Sequence, residues 1–342
     1  MIKKKNRTFI IAEVGINHNG IINNAKKLIN VAKKCGANAV KFQTYKTHNL
    51  ISKSQSLMSY QKRNMKSSIS QFKMLKKCEL SKIQFLELKK YCDKKKIEFI
   101  STPYDYESAQ MLKKIGVEKI KIASTDTNNI PLIKKILKLN IETIISTGAT
   151  NEKEFDIIYK IIKKIPIKKK ISYLHCISYY PCPIEFLNLN VIKNYKNKYN
   201  ISIGLSDHST STISGAVAIG LGAKIIEKHI TLNKKLFGPD HKSSLEPNEF
   251  KTFVNNIREA EKMLGSGIRL LKPIEKKVKI QMQKSIYLIN DIKKNDIINL
   301  KNIIIKRPAS SLKPFYLNKI VGKKAKRNIK KMSNIILGDF TK

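Results

Sequence analysis

Eight short apolar, β-branched runs alternate with helical patterns over the first 265 residues, and this alternation restricts the fold more than any other feature of the chain. The strand candidates are 9–14, 39–43, 98–102, 119–123, 143–146, 171–175, 201–205 and 224–229. Amphipathic stretches lie between most of them, as at 25–35, 83–94, 132–139, 152–165 and 213–221. Strands that read as continuous apolar runs are buried on both faces, which points to a parallel sheet. Eight such units predict an α/β fold of the TIM (β/α)8 barrel type. An open doubly wound sheet is the alternative. Its dinucleotide loop G-x-G-x-x-G is absent after the first strand, where Glu13-Val14-Gly15-Ile16-Asn17-His18 stands.

The chain has 342 residues, 42% of them hydrophobic, with no Trp. That allows one barrel and a smaller domain, with a core of Ile, Leu, Val and Ala. No apolar run is long enough to cross a bilayer. The stretch Phe9–Ala12 lacks the length and cleavage pattern of a signal peptide, so the chain is expected in the cytoplasm, with no membrane partner. Its five cysteines are scattered, with no C-x-x-C pair, and read as free thiols rather than a disulfide framework or a cysteine zinc site. The formal charge of +43 raises a nucleic-acid reading as the alternative from another class. The lysines, however, are spread along the chain with abundant Ile and Asn, as A/T-rich codon usage would give. Runs such as Lys94–Lys96, Lys168–Lys170 and Lys323–Arg327 read as solvated helix ends and turns, so no nucleic-acid partner is expected.

The connection from Tyr45 to Leu80 is long and rich in Ser, Gln, Lys and Met, and is expected to form a lid-like insertion beside the active site. After Leu264 the pattern changes. Residues 1–265 are assigned to the barrel, 266–280 to a linker and 281–342 to a small β-rich domain near the lower size limit for folding alone.

In a TIM barrel, polar residues at the C-terminal strand ends are the catalytic candidates. Three kinds of group gather there. Lys41, Lys121, Ser124, Ser146 and Ser206 suit an anion. His208 and His229, from adjacent strands, are candidate metal ligands. Glu13, Asp126, Glu227 and Asp240 are suited to holding hydroxyls, moving protons or completing a metal shell. Plainer readings apply elsewhere. His175 ends an apolar strand and reads as a satisfied core histidine. His18 fits a turn as well as a site, and Tyr179 reads as packing. Lys119 and Lys121 share strand parity, and one of them is expected to snorkel rather than bind an anion.

Set in order, these motifs resemble one family. Ile11-Ala12-Glu13-Val14-Gly15-Ile16-Asn17-His18-Asn19-Gly20, Ala39-Val40-Lys41-Phe42-Gln43-Thr44, Lys121-Ile122-Ala123-Ser124, Ser146-Thr147-Gly148, His175-Cys176, Tyr180-Pro181, Gly204-Leu205-Ser206-Asp207-His208, Glu227-Lys228-His229 and Gly238-Pro239-Asp240-His241 follow the pattern of the sialic acid synthase (N-acetylneuraminate synthase) family. Ser285-Ile286-Tyr287 and Lys306-Arg307-Pro308 resemble that family's C-terminal antifreeze-like (SAF) domain.

The resemblance implies condensation of phosphoenolpyruvate with an open-chain N-acylated mannosamine-type sugar, releasing phosphate. The acceptor would be N-acetylmannosamine or, giving legionaminic acid, a 2,4-diacetamido-trideoxy sugar. Lys41, Thr102, Lys121, Ser124, Ser146, Ser178 and Ser206 would hold phosphoenolpyruvate. His208 and His229 would bind Mn2+ or Mg2+. Glu13, Gln43, Tyr180, Asp240 and Arg307 would face the sugar, Asp126 would act on the attacking water, and Asp207, Glu227 and Lys228 would orient the histidines and the sugar. The family forms a domain-swapped homodimer, so Arg307 would enter the partner's site. The chain departs from the family pattern at Thr125, Cys182 and Ala309–Leu312.

Overall fold

The computed structural model describes residues 7–66 and 69–341. Its strands β1 (Phe9–Gly15), β2 (Ala39–Thr44), β3 (Glu98–Pro103), β4 (Lys119–Ile122), β5 (Glu142–Ser146), β6 (Ile171–Cys176), β7 (Ile203–Asp207) and β8 (Ile225–His229) pair in sequence order. All the pairings are parallel, and β8 returns to β1 to close the barrel. The TIM-barrel expectation therefore holds, and the strand candidates fall on these strands within two residues.

Alternation along each strand divides the side chains between two layers. Ile10, Ala12, Val40, Phe99, Ile145 and Leu205 join the apolar shell beneath the helices. Ile11, Ala39, Ile100, Ile144, Leu174 and Ile225 fill the barrel interior as a separate cluster. Two residues further along β1, β2, β5 and β8 the interior turns polar, with Glu13, Lys41, Ser146 and Glu227, all buried. An apolar plug thus seals the barrel below a layer of charge.

The outer helices are α1 (Ile22–Cys35), then, beyond an insertion, α5 (Lys82–Lys95), α6 (Tyr106–Lys114), α7 (Ile130–Lys138), α8 (Glu152–Lys163), α9 (Asn190–Tyr199), α10 (Ser214–Gly220) and α11 (Pro247–Leu264). Ser81, Asp105, Asn129 and Asn151 accept backbone N–H bonds as N-caps. Lysine pairs occupy the last turns of α1, α5 and α6, where they complement the helix dipole. Part of the positive charge is therefore spent on helix ends, as the spread of lysines suggested.

The insertion holds three short helices, α2 (Thr47–Leu50), α3 (Ser59–Met65) and α4 (Gln71–Cys78). It has its own apolar cluster of Tyr45, Leu57, Met65, Met74, Leu75 and Cys78, packed with Ile16. The tip of α3 is tied across the barrel mouth: Asn64 Nδ2 donates to Pro239 O at 2.6 Å and Arg63 Nη2 to Tyr180 O at 3.4 Å.

The chain divides into two compact units, 1–265 and 266–342. In the second, β9 (Ser285–Leu288) pairs antiparallel with β10 (Ile303–Lys306) over a small core that includes Ile286, Leu288, Ile298, Ile320, Ile329 and Phe340. The span read as a linker departs from that reading. Pro273 at a helix start, where its missing N–H costs nothing, opens α12 (Pro273–Met282).

Candidate active site

One cavity of about 700 Å3 opens at the C-terminal end of the barrel strands, roofed by the insertion. Glu13, Lys41, Gln43, Thr102, Lys121, Ser124, Ser146, Ser178, Tyr180, Ser206, His208, Glu227, His229 and Asp240 all line it. Four of the sequence candidates do not: Asp207 and Lys228, which pair on the far side of the strands, Asp126 and Arg307. Asp126 follows β4 in a 3-10 turn, accepts from Asn129 Nδ2 at 3.0 Å and is absent from the lining. Arg307 belongs to the second unit, directly after β10.

The floor is a cluster of four buried charges. Lys41 Nζ lies 2.7 Å from Glu13 Oε2 and 3.8 Å from Glu227 Oε2, and donates to Thr102 Oγ1 at 3.0 Å. Lys121 Nζ and Ser206 Oγ donate to Glu227 Oε1 at 3.4 and 2.9 Å. These neighbours split the two carboxyls. Burial pushes Glu13 up to about 7, against the pull of Lys41 and with help from Glu227. Glu227 is buried as deeply, but Lys121 and Lys41 outweigh that cost and draw it down to about 2. Two acids pushed apart in this way can serve as a proton carrier and a fixed charge. Lys119 is not part of the floor. It sits at the start of β4, bonded to Glu98 at 2.8 Å, which separates it from Lys121 as expected.

On one wall, the backbone N–H of Gly148 donates to Ser124 Oγ at 3.1 Å. A Cβ at Gly148 would stand 2.4 Å from Ser178 Oγ and 2.6 Å from Ser124 Oγ. The three residues form a cradle that only glycine leaves open. Ser146 Oγ beside it is buried with no hydrogen-bond partner. Gly15 has φ +52 and sits at the β1–β2 register shift. That left-handed turn favours glycine, and a Cβ there would come 3.3 Å from Glu13 Oε1.

The imidazoles follow along the wall, with Cys176 Sγ 3.5 Å from Ser124 Oγ and 3.7 Å from His208 Nδ1. Ring centroids of His208 and His229 are 5.5 Å apart, and Tyr180 packs 4.0 Å from His208. His208 Nδ1 donates to Ile177 O at 2.7 Å, which puts the lone pair of the neutral ring on Nε2, while, against burial, Cys176 beside it raises its pKa. His229 Nδ1 is buried with no partner, and burial, with His208 and Lys41, holds this ring neutral. Each ring therefore keeps a nitrogen able to ligate. Among the described residues no group of three or more His, Cys, Asp or Glu is arranged for a metal. The two imidazoles, 5.5 Å apart and one with a buried, unpartnered nitrogen, are donors that would suit a cation whose shell water or substrate oxygens complete.

Other histidines have structural partners. His175 Nε2 meets Leu187 O at 2.7 Å, and His18 Nδ1 accepts from Gly20 N at 3.0 Å. Tyr179 is half exposed at the rim. Sequence reasoning missed Tyr60 and Arg63, both of which line the cavity from α3. Tyr60 stacks on Tyr180 at 5.0 Å, and its hydroxyl bonds the Asp240 carboxyl, which burial pushes up to about 6. Their only signal was the length of the insertion that carries them.

Comparison with known proteins agrees with this geometry. The NeuB family model matches residues 28–269, and the SAF domain model matches residues 283–331. The chain is 42% identical to an uncharacterized protein of Methanocaldococcus jannaschii, over 99% of this chain and 96% of that one. It is 39% identical to the N,N'-diacetyllegionaminic acid synthase of Campylobacter jejuni, over 95% and 97%. The crystal structure of N-acetylneuraminic acid (sialic acid) synthetase from Leptospira borgpetersenii, in complex with citrate, superposes with a TM-score of 0.71 at 36% identity, covering 80% and 90%. With its barrel and its second unit both matched, the chain belongs to the NeuB family of sialic acid synthases and is an enzyme of that family.

Proposed function

We propose that this enzyme joins phosphoenolpyruvate to the open-chain aldehyde of an N-acylated mannosamine-type sugar and releases phosphate by C–O cleavage, giving a nine-carbon 2-keto acid. The observation that carries this reading is the pairing, in one cavity, of two buried lysines with two buried imidazoles. Lys41 and Lys121 are opposed by one firmly ionised carboxylate, Glu227, and by Glu13, which titrates near neutrality, so the floor favours a multiply charged anion. Lys41, Thr102, Lys121 and Ser206 hold the carboxylate end, and the Ser124, Ser146, Gly148 and Ser178 cradle holds the phosphate. Gln43, Tyr180, Asp240 and the insertion face the sugar.

C3 of phosphoenolpyruvate attacks the aldehyde carbon, water adds to C2, and the C2–O bond to phosphate breaks with its electrons leaving on phosphate. His208 and His229 would hold a divalent cation, Mn2+ or Mg2+, which would supply Lewis acidity to the aldehyde. Glu13, with a proton affinity near neutrality, takes the proton of the attacking water or delivers one to the new hydroxyl. This gives Glu13 the task that sequence reasoning gave Asp126. Glu227 stays ionised and fixes Lys121, Lys41 and Ser206.

For the acceptor we favour 2,4-diacetamido-2,4,6-trideoxymannose, on the name of the Campylobacter relative, with N-acetylmannosamine as the second candidate. Purified protein, phosphoenolpyruvate and Mn2+ with a panel of both sugars tests this directly. Phosphate release with the first sugar above the second is expected, and no release with any acceptor would sink the enzyme reading.

We further propose a domain-swapped homodimer in which Arg307 reaches the partner's site. Ile268, Leu270, Ile274, Val278 and Ile280 are exposed along 268–280, which suits burial against a second copy. Sedimentation of the pure protein as a monomer would overturn it. No helix among the described residues is long and apolar enough to cross a membrane, and the five free, buried cysteines suit the reducing cytoplasm where we place the enzyme.

A further inference from the structure

Asp207 and Lys228 are the charged pair that the proposed chemistry leaves unused. They face each other in register across β7 and β8. Both side chains are completely buried, with Lys228 Nζ 2.6 Å from Asp207 Oδ2. Strand alternation turns them away from the cavity and into the helix layer, where Nζ lies 5.2 Å over the Phe253 ring of α11. A buried ion pair stabilises poorly compared with apolar side chains of the same volume, so its presence calls for another explanation.

The hydrogen bonds supply one. Lys228 Nζ also donates to Ser209 O at 2.6 Å and to Ser209 Oγ at 3.3 Å. Asp207 Oδ1 accepts from the Ser209 N–H at 2.8 Å, and Oδ2 accepts from Ser214 Oγ. The pair therefore holds both backbone polar groups of Ser209 from the far side of the strands. His208 lies between Asp207 and Ser209, just past the end of β7, where the strand ladder has ended and its carbonyl accepts from the Cys182 N–H at 3.0 Å. His229 is the residue after Lys228. On their other sides Asp207 and Lys228 adjoin Ser206 and Glu227, which pair with each other in the strand ladder and through the Ser206 hydroxyl, so the neighbour that depends most on the ion pair is His208, beyond the ladder.

We propose that Asp207 and Lys228 are positioning residues that lock the spacing of His208 and His229, and through it the affinity of the cation site. The inference rests on the reading of those two rings as ligands. Mn2+ binding to the full chain, followed by EPR without substrate, tests it. Wild type is expected to bind one Mn2+ per chain.

The double variant Asp207→Asn/Lys228→Met removes both charges together, while the introduced amide can still accept from the Ser209 N–H. It is expected to bind Mn2+ about 10- to 100-fold more weakly, as loss of a ligand's supporting contacts does. Its kcat should fall, with the KM for phosphoenolpyruvate little changed. Glu98→Gln/Lys119→Met removes another interstrand pair of the same barrel, away from the cavity. It should leave Mn2+ affinity at the wild-type value whatever it does to the melting temperature. Ser214→Ala is the milder variant, keeping both charges paired, and should weaken Mn2+ by a smaller factor in the same direction.

Unchanged Mn2+ affinity in the double variant and in Ser214→Ala overturns the proposal, as does equal weakening in the Glu98/Lys119 control. Absence of stoichiometric Mn2+ binding by wild type overturns the ligand reading, and the proposal with it.

Discussion

Glu13 and Lys41 form an ion pair of 2.7 Å between side chains that are both almost wholly buried, yet the carboxyl of that pair is held near 7. The ammonium alone would draw it down. Burial and the ionised Glu227 on the other side of Lys41 outweigh that pull. The proton on Glu13 is therefore exchangeable at neutral pH.

This gives the first prediction, in the pH profile. If Glu13 accepts a proton in the reaction, kcat/KM rises with pH through an apparent pKa near 7 and flattens above it. Glu13→Gln should lower kcat about 100-fold or more and abolish that limb. A limb that persists in Glu13→Gln would assign the titration to another group.

Asp240 makes a prediction about stability. Burial raises it from 3.8 to about 6 in the folded protein, against His208 and its bond from Tyr60. Between those two values the native state keeps a proton that the unfolded chain has released, so stability falls as pH rises from about 4 to about 6. The penalty is fully present above 6. Asp240→Asn removes it, and should gain on the order of 2 kcal/mol relative to wild type between pH 4 and pH 7. Urea denaturation at the two pH values measures the difference, and parallel curves for the two proteins would refute it.

The barrel was legible because its strands are buried on both faces, which leaves continuous apolar runs such as Phe9–Ala12 that end on polar residues. The same rule placed Lys41, Ser206 and Glu227 at one end of one interior. It could not separate Lys119 from Lys121, because parity gives a side chain's face and not its height along the barrel. The orientation of Asp126 was not legible because a 3-10 turn after β4 sets it beside Asn129, and turn geometry leaves no periodic trace. Tyr60 and Arg63 were invisible for a different reason. Helices of four to eight residues carry too few turns for a pattern, and their position is set by long-range bonds to Tyr180 and Pro239.

Gly148 offers a test of the phosphate cradle. No positive φ strains this position, so alanine is tolerable to the backbone, and the three atoms nearest its Cβ are side-chain atoms of Ser178, Ser124 and Cys176. Gly148→Ala should raise the KM for phosphoenolpyruvate about tenfold, equivalent to about 1.4 kcal/mol, with the melting temperature nearly unchanged. An unaltered KM would remove the phosphate from this wall.

Tyr60 tests the insertion as a wall of the acceptor pocket. Its ring stacks on Tyr180 with an interplanar angle of 24°, and Tyr180 in turn packs on His208, so α3 ends a column of three rings. Tyr60→Ala removes a stacking contact worth about 1 kcal/mol. It should raise the KM of the sugar severalfold while leaving that of phosphoenolpyruvate alone, because the floor lysines do not touch the column. Tyr60→Phe separates the ring from its hydroxyl. The bond from Tyr60 lowers the pKa of Asp240, so the phenylalanine variant should keep the stack and shift the Asp240 titration above 6. Steady-state kinetics with each substrate varied in turn, read with the pH dependence of stability, checks both effects. Equal rises in both KM values for Tyr60→Ala would mean that α3 acts on the whole cavity and has no separate hold on the acceptor.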